Sequence, residues 1–145
     1  MGDRKGALWR LAQEALHRAH APYSGLRVGA AMRAASGALY SGCNVESAAF
    51  PIGGCAEHHA IAAGVRAEGP GFRIAEVAIA ARDGSGAAVA ISPCGACRQL
   101  IIEFGAGAVV HFLGADGKVA GHAIADLLPA AFALDAPHAP DDADG

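Results

Sequence analysis

Cys55-Ala56-Glu57, read together with Pro93-Cys94-Gly95-Ala96-Cys97, is the pair of stretches on which the rest of this chain depends. Three cysteines and a carboxylate so arranged suit a reactive zinc centre. Such a zinc takes three protein ligands in a tetrahedron and leaves the fourth corner to water. Cys55, Cys94 and Cys97 supply three soft ligands. Glu57, two residues from the first of them, stays free to move the protons of a water whose pKa zinc lowers from about 15.7 towards 7. A lone Cys-x-x-Cys is a weak signal, because redox pairs and zinc ribbons share it. A ribbon needs a second pair, however, and the only other thiol is Cys43. Three unrelated core cysteines, the plain alternative, explain neither Glu57 beside Cys55 nor Pro93 ahead of Cys94.

A chain of 145 residues fits one domain with a single well-filled interior. The hydrophobic fraction of 53% and mean hydropathy of +0.31 leave apolar surface over for subunit contacts. No apolar run approaches the roughly 18 residues of a membrane span. Met1-Gly2-Asp3-Arg4-Lys5 leads into an amphipathic segment rather than a signal-peptide core, and Asp3 and Glu14 argue against a transit peptide. Thiols at metal spacing point to a reducing compartment, so a cytoplasmic protein is expected. The net charge is −3, and Lys5 and Lys118 are the only lysines. That balance lays no broad basic track along a phosphate backbone. The expected partner is therefore a small molecule, with neither nucleic acid nor membrane bound.

Apolar residues at Leu8, Leu11, Ala12, Ala15 and Leu16 form one stripe, which predicts a helix from Arg4 to His20, ended by Ala21-Pro22. His17 and His20 then belong to the helix end. Val28 to Arg33 and Leu39 to Cys43 read as strands joined at Ser36-Gly37. Asn44-Val45-Glu46 is either a polar strand end or a pair of groups lining a pocket. Ala56 to Val65 is a helix, with Cys55 at its start, where free N–H groups and the helix dipole favour a thiolate. Ile74 to Ala81 reads as a strand covered on both faces. Ala87 to Ile91 extends it or forms a short strand of its own. Pro93 opens a helix from Cys94 to Phe104, which puts Cys94 and Cys97 on one face. Ala108 to Leu113 and an edge strand, Lys118 to Ala123, follow, with His111 and His122 as packing residues. A short helix from Ile124 to Phe132 is interrupted at Pro129, and the acidic tail from Asp135 is expected to be disordered. The fold class is α/β: a single-domain three-layer sandwich with a mixed five-stranded sheet flanked by helices, and residues 1–134 as the catalytic domain.

The order Cys-x-Glu and then Pro-Cys-x-x-Cys is similar to the signature of the zinc nucleobase deaminases. With Pro22-Tyr23-Ser24, Val28-Gly29-Ala30-Ala31, Gly42-Cys43-Asn44-Val45-Glu46, Cys97-Arg98-Gln99, Glu103-Phe104 and Leu127-Leu128-Pro129, the chain resembles the small homotetrameric cytidine deaminases. The resemblance implies one Zn2+ per chain on Cys55, Cys94 and Cys97, and Glu57 as the proton carrier in hydrolytic deamination of cytidine or deoxycytidine, with release of ammonia. It implies that Asn44 and Glu46 hold the ribose 3′-hydroxyl and that the Ala56 N–H meets the base carbonyl. Phe132 would reach a neighbouring subunit's pocket within a homotetramer with shared sites.

Departures from the family pattern bear on specificity. His58 stands where the family carries an Arg that offsets thiolate charge, and His58 is expected to donate to a ligand sulfur. Leu26 replaces a Phe that packs on the substrate, Phe50 replaces a Tyr, and Gly53-Gly54 replaces larger side chains. A roomier pocket that tolerates N4- or C5-substituted cytidines is the expectation. Three other functions stay open: deamination of a different or modified cytosine nucleoside (blasticidin-like), deamination of a base within nucleic acid, and a non-catalytic zinc-stabilised binding protein. The last needs a fourth protein ligand, for which His58 or His59 is the candidate.

Overall fold

Small residues at the middle of the sheet set how closely the helices approach it. The structure, a computed structural model, describes residues 3–134. The elements are α1 (Arg4–Leu16), β1 (Arg27–Ala34), β2 (Leu39–Cys43), α2 (Ala56–Glu68), β3 (Ile74–Arg82), α3 (Gly95–Phe104), β4 (Val109–Leu113), β5 (Val119–Ala123) and α4 (Ile124–Leu127). The five strands lie in the order β2-β1-β3-β4-β5. Only β3 and β4 pair in parallel; the other neighbours are antiparallel. The mixed sheet and flanking helices are as expected.

Period-two alternation divides the core between the sheet's faces. On one face Ala31, Ala78 and Ala80 pack against Leu8, Ala12 and Leu16 of α1. On the other, Met32, Val77, Ile79 and Val110 meet Ile61 of α2, Ile101 of α3 and Phe72. A Cβ at Gly29 would run into the α1 backbone at Ala12 and Leu16, and one at Gly42 into the α2 backbone at Ala56 and Ala60. Because the obstacle is backbone rather than a side-chain tip, Gly29→Ala is expected to cost about 1–3 kcal/mol by overpacking. Denaturant unfolding measures this, and a midpoint equal to the parent's would contradict so close an approach.

The topology also brings two helix starts together. β2 and β3 are each antiparallel to β1, so they point the same way. α2 follows β2 and α3 follows β3, and both helices therefore begin beyond the same end of the sheet. In open α/β sheets that is where ligands bind.

Some boundaries differ from expectation. α1 ends at Leu16, not His20. Residues His17, Arg18 and Ala19 bond back three residues, and the His20 N–H instead donates to the Asn44 carbonyl at 3.1 Å. Residues 87–91 form no strand, only a single bridge at Arg82 and Ala88. Pro93 lies before α3 rather than inside it, because Cys94 is the extended N-cap. α4 ends at Leu127, and Leu128 is already non-helical, as a residue preceding proline tends to be. The tail from residue 135 lies outside the described residues.

Candidate active site

Cys55 is the N-cap of α2 and Cys94 the N-cap of α3, each extended and neither making a side-chain cap bond. Cys97 sits in the first turn of α3, buried, while Cys55 and Cys94 are exposed. The amide ends of two helices, with their partial positive charge, thus face three thiols. All three sulfurs lie within 4.8 Å of one another. Zinc–sulfur bonds of about 2.3 Å place tetrahedral sulfurs about 3.8 Å apart. The Cys55 and Cys94 Sγ atoms are 3.9 Å apart. Both spacing and donor type fit one zinc. Among the described residues no histidine or carboxylate joins the set.

Cys55 and Cys97 shift in opposite directions. The neighbouring Cys97 thiol above all lowers Cys55 to about 6, against burial and with help from Cys94, His58 and His59. Cys55 in turn, followed by burial and the Glu57 carboxyl, raises Cys97. A bound dication takes the remaining protons off, since metals bind thiolate. Glu57, in the first turn of α2, is 4% exposed. Burial above all, and then the Cys55 charge, raises its pKa. A buried carboxyl that makes no ion pair among the described residues suits proton transfer better than ion pairing.

Two adjoining cavities share Asn44 and Cys55. The inner one, about 170 Å³, has Leu26, Val28 and Ile91 as its apolar walls, with Ala56, Glu57, Ser92 and Cys94 around the metal end. The outer one, about 270 Å³, is lined by Tyr23, Val45, Glu46, Ser47, Phe50 and Gly53-Gly54. No lysine or arginine lines either cavity among the described residues.

Asn44 and Glu46 build the wall between sheet and cavity. Asn44 Nδ2 donates to the Leu26 carbonyl and its Oδ1 accepts from the Val28 N–H, both at 2.8 Å. Glu46 Oε1 accepts the Tyr23 and Ser24 N–H groups at 2.9 and 3.1 Å, and Oε2 accepts the Ser24 hydroxyl at 2.6 Å. Those bonds, the Ser24 hydroxyl first, lower the Glu46 pKa. A depressed carboxyl stabilises the fold above its unfolded pKa and loses that contribution as pH falls through the folded value. Glu46→Gln should therefore melt below the parent at neutral pH, with the gap closing as acid titrates Glu46. A gap independent of pH would exclude this charge-assisted anchoring.

His58 is exposed and stacks on His59, ring centroids 5.7 Å apart. Among the described residues no hydrogen bond joins it to a ligand sulfur, so its influence on Cys55 is coulombic rather than through the expected N–H. Residue 58 is turned from the residue 57 direction by a helical step, which leaves its ring outside. His59 bears on the room expected at Gly53-Gly54. Its Nδ1 donates to the Cys43 carbonyl at 2.7 Å, and its ring occupies the place a Cβ at Gly54 would need. The space that glycine opens at position 54 is refilled by imidazole. Phe132 is 68% exposed and lines neither cavity.

Arg98 escaped the reading by residue chemistry. It binds the loop before Cys94 and the end of α4, partners that only the tertiary structure brings within reach. Ile91 and Ser92 were likewise invisible as pocket walls, since nothing in their local pattern distinguishes them.

Residues 3–113 match the family model described as the cytidine and deoxycytidylate deaminase zinc-binding region. A cytidine deaminase of Sporosarcina psychrophila is 38% identical over 121 residues, covering 83% of this chain and 85% of that protein. One from Mycobacterium tuberculosis is 36% identical over 124 residues, 86% of each chain. Among solved structures, the cytidine deaminase of Burkholderia pseudomallei aligns with a TM-score of 0.77 at 36% identity, over 91% of this chain and 100% of the other. That of M. tuberculosis aligns with a TM-score of 0.74 at 34% identity, over 92% and 100%. With thiols set for one zinc beside a buried carboxyl, this chain belongs to the cytidine and deoxycytidylate deaminase zinc-binding family. It is a hydrolytic enzyme of that family, with Cys55, Cys94 and Cys97 positioned to hold its metal ion.

Proposed function

We propose that this protein deaminates free cytidine and deoxycytidine to uridine and deoxyuridine, releasing ammonia. The observation carrying this is the buried Glu57 carboxyl beside three thiols at one end of a cavity bounded by apolar walls. Zinc bound there supplies Lewis acidity and lowers the pKa of water. Glu57 accepts a proton from the attacking water and delivers it to N3. It then carries the second water proton to the exocyclic nitrogen, which departs as ammonia with the electrons of its bond to C4. The Ala56 N–H, at the first position of α2, is proposed to donate to the base carbonyl. A carboxylate has about four lone-pair sites, and Glu46 uses three, so one remains for a ribose hydroxyl. Asn44 is proposed as its companion there.

Charge supports a nucleoside over a nucleotide. Among the described residues Glu46 is the only carboxylate lining the outer cavity, with Cys55 as its one thiol and no cationic side chain, and it would repel a 5′-phosphate. Exposed Ile52, Phe132 and Leu134, and Phe50 at the outer rim, support a homo-oligomer, proposed as a homotetramer in which Phe132 serves a neighbour's site. No described helix is long and apolar enough to cross a membrane. A cytoplasmic location is proposed from the need to keep the ligand thiols reduced.

Leu26 remains a wall of the inner cavity, so tolerance of N4-substituted cytidines is proposed to depend on that position, position 54 being filled by His59. Ammonia or amine release should be followed for cytidine, cytidine 5′-monophosphate and an N4-acyl cytidine, with the parent and Leu26→Phe. Turnover of cytidine, little of the monophosphate, and acyl-cytidine activity that Leu26→Phe removes is the expected pattern. A preference for the monophosphate would overturn the nucleoside reading. Equal acyl-cytidine activity in both proteins would take Leu26 out of specificity.

A further inference from the structure

Arg98 follows the ligand Cys97 on α3, and its guanidinium folds back along the loop that leads to the ligand Cys94. Nε donates to the Pro93 carbonyl at 2.8 Å, one terminal nitrogen to the Ser92 hydroxyl at 3.2 Å, and the other to the Leu127 carbonyl at 2.7 Å. The other backbone anchors of this loop lie toward its start. Residues 89–94 lie outside any strand, and Pro93 has no N–H. Among the described residues the Val89 N–H bonds the Ala81 carbonyl at 3.0 Å and the Ile91 N–H the Leu113 carbonyl of β4 at 3.1 Å, which leaves residues 92–94 to the guanidinium. Ser92 is also a wall of the inner cavity. At the far side, the Leu127 carbonyl closes a helix of only four residues, whose last carbonyls have no partner within the helix. A planar guanidinium presents donors in fixed, diverging directions and satisfies the three acceptors at once, which a lysine ammonium on its flexible stem does not.

We propose that Arg98 is a positioning residue for the metal centre: its fork fixes residues 92–94, and so the place of the Cys94 sulfur opposite Cys55, and ties that segment to the end of α4. The proposal rests on the zinc site described above and concerns how one ligand is held there. It makes no use of the protonation of any group at the site.

The parent chain, Arg98→Gln and Arg98→Lys are compared in three ways: the rate of zinc release to a chelator, the visible spectrum of the cobalt-substituted protein, and kcat and KM for cytidine. Outer partners of metal ligands are worth about 10–100-fold in affinity, so Arg98→Gln is expected to release zinc about tenfold faster or more. Its cobalt bands should shift and kcat fall, with KM little changed. Arg98→Lys, able to reach one acceptor, should lie between. Loss of thermal stability with parental zinc release and cobalt bands would reduce Arg98 to a structural brace and overturn the proposal. Should Arg98→Gln not fold, Ser92→Ala, which removes one acceptor, should still speed zinc release, and a parental rate would count against the proposal. Amide hydrogen exchange across residues 91–97 in the metal-free proteins separates the two readings. A parent that binds no zinc would refute the zinc site, while unchanged exchange in the variants would refute the positioning role.

Discussion

Glu57→Gln is expected to keep both fold and zinc while lowering kcat for cytidine by about 10²–10⁴, the usual worth of a positioned acid–base group. Glutamine matches the shape of glutamate and offers hydrogen bonds, but it carries no proton between atoms. The position is 4% exposed, and a neutral amide is easier to bury there than an ionised carboxylate. The variant should therefore fold as well as the parent. None of the three sulfurs is touched, so about one zinc per chain should remain. Activity within tenfold of the parent would remove Glu57 from the chemistry. Loss of zinc would instead make it a ligand.

Cys97→Ser is expected to have the other large effect, on the metal itself. Cys97 is 3% exposed at the start of α3, so serine occupies nearly the same volume without opening a surface. Its hydroxyl keeps its proton at neutral pH and is a hard, weak donor where zinc favours thiolate. Zinc bound by a full set of ligands contributes about 10–16 kcal/mol in small zinc domains, and removing one of three thiolates forfeits much of that. Dialysed Cys97→Ser should hold little zinc and show neither turnover nor the rise in melting temperature that added zinc gives the parent. A parental zinc content with full activity would show that Cys97 is not a ligand.

Much of this centre is legible in the chain because its parts are local. Cys94 and Cys97 share a helix turn, Glu57 is two residues from Cys55, and each helix start follows a strand whose pattern can be read. The glycines ahead of Cys55 are visible too, but their consequence is not. What fills the space at Gly54 is the ring of His59, set by its bond to the Cys43 carbonyl. Asn44 and Glu46 read equally well as a polar strand end or as pocket groups, and the structure gives them a scaffold role through bonds to residues 23–28. His58 lies exposed against His59 rather than bonded to a ligand sulfur among the described residues, one helical step from buried Glu57. Helix ends depart from the sequence pattern where a competing partner sits elsewhere in the fold, as at His20, whose N–H is taken by the Asn44 carbonyl.

The same geometry decides against a purely structural zinc. A closed site needs four protein ligands, and among the described residues the set stops at three. His59 is committed to the Cys43 carbonyl, and His58 stacks upon it. X-ray absorption at the zinc edge of the purified protein tests this most directly. The expected result is one zinc per chain with three sulfur neighbours at about 2.3 Å and one oxygen, the oxygen signal responding to a competitive cytidine analogue. A zinc ringed by three sulfurs and a histidine nitrogen, indifferent to the analogue, would contradict it.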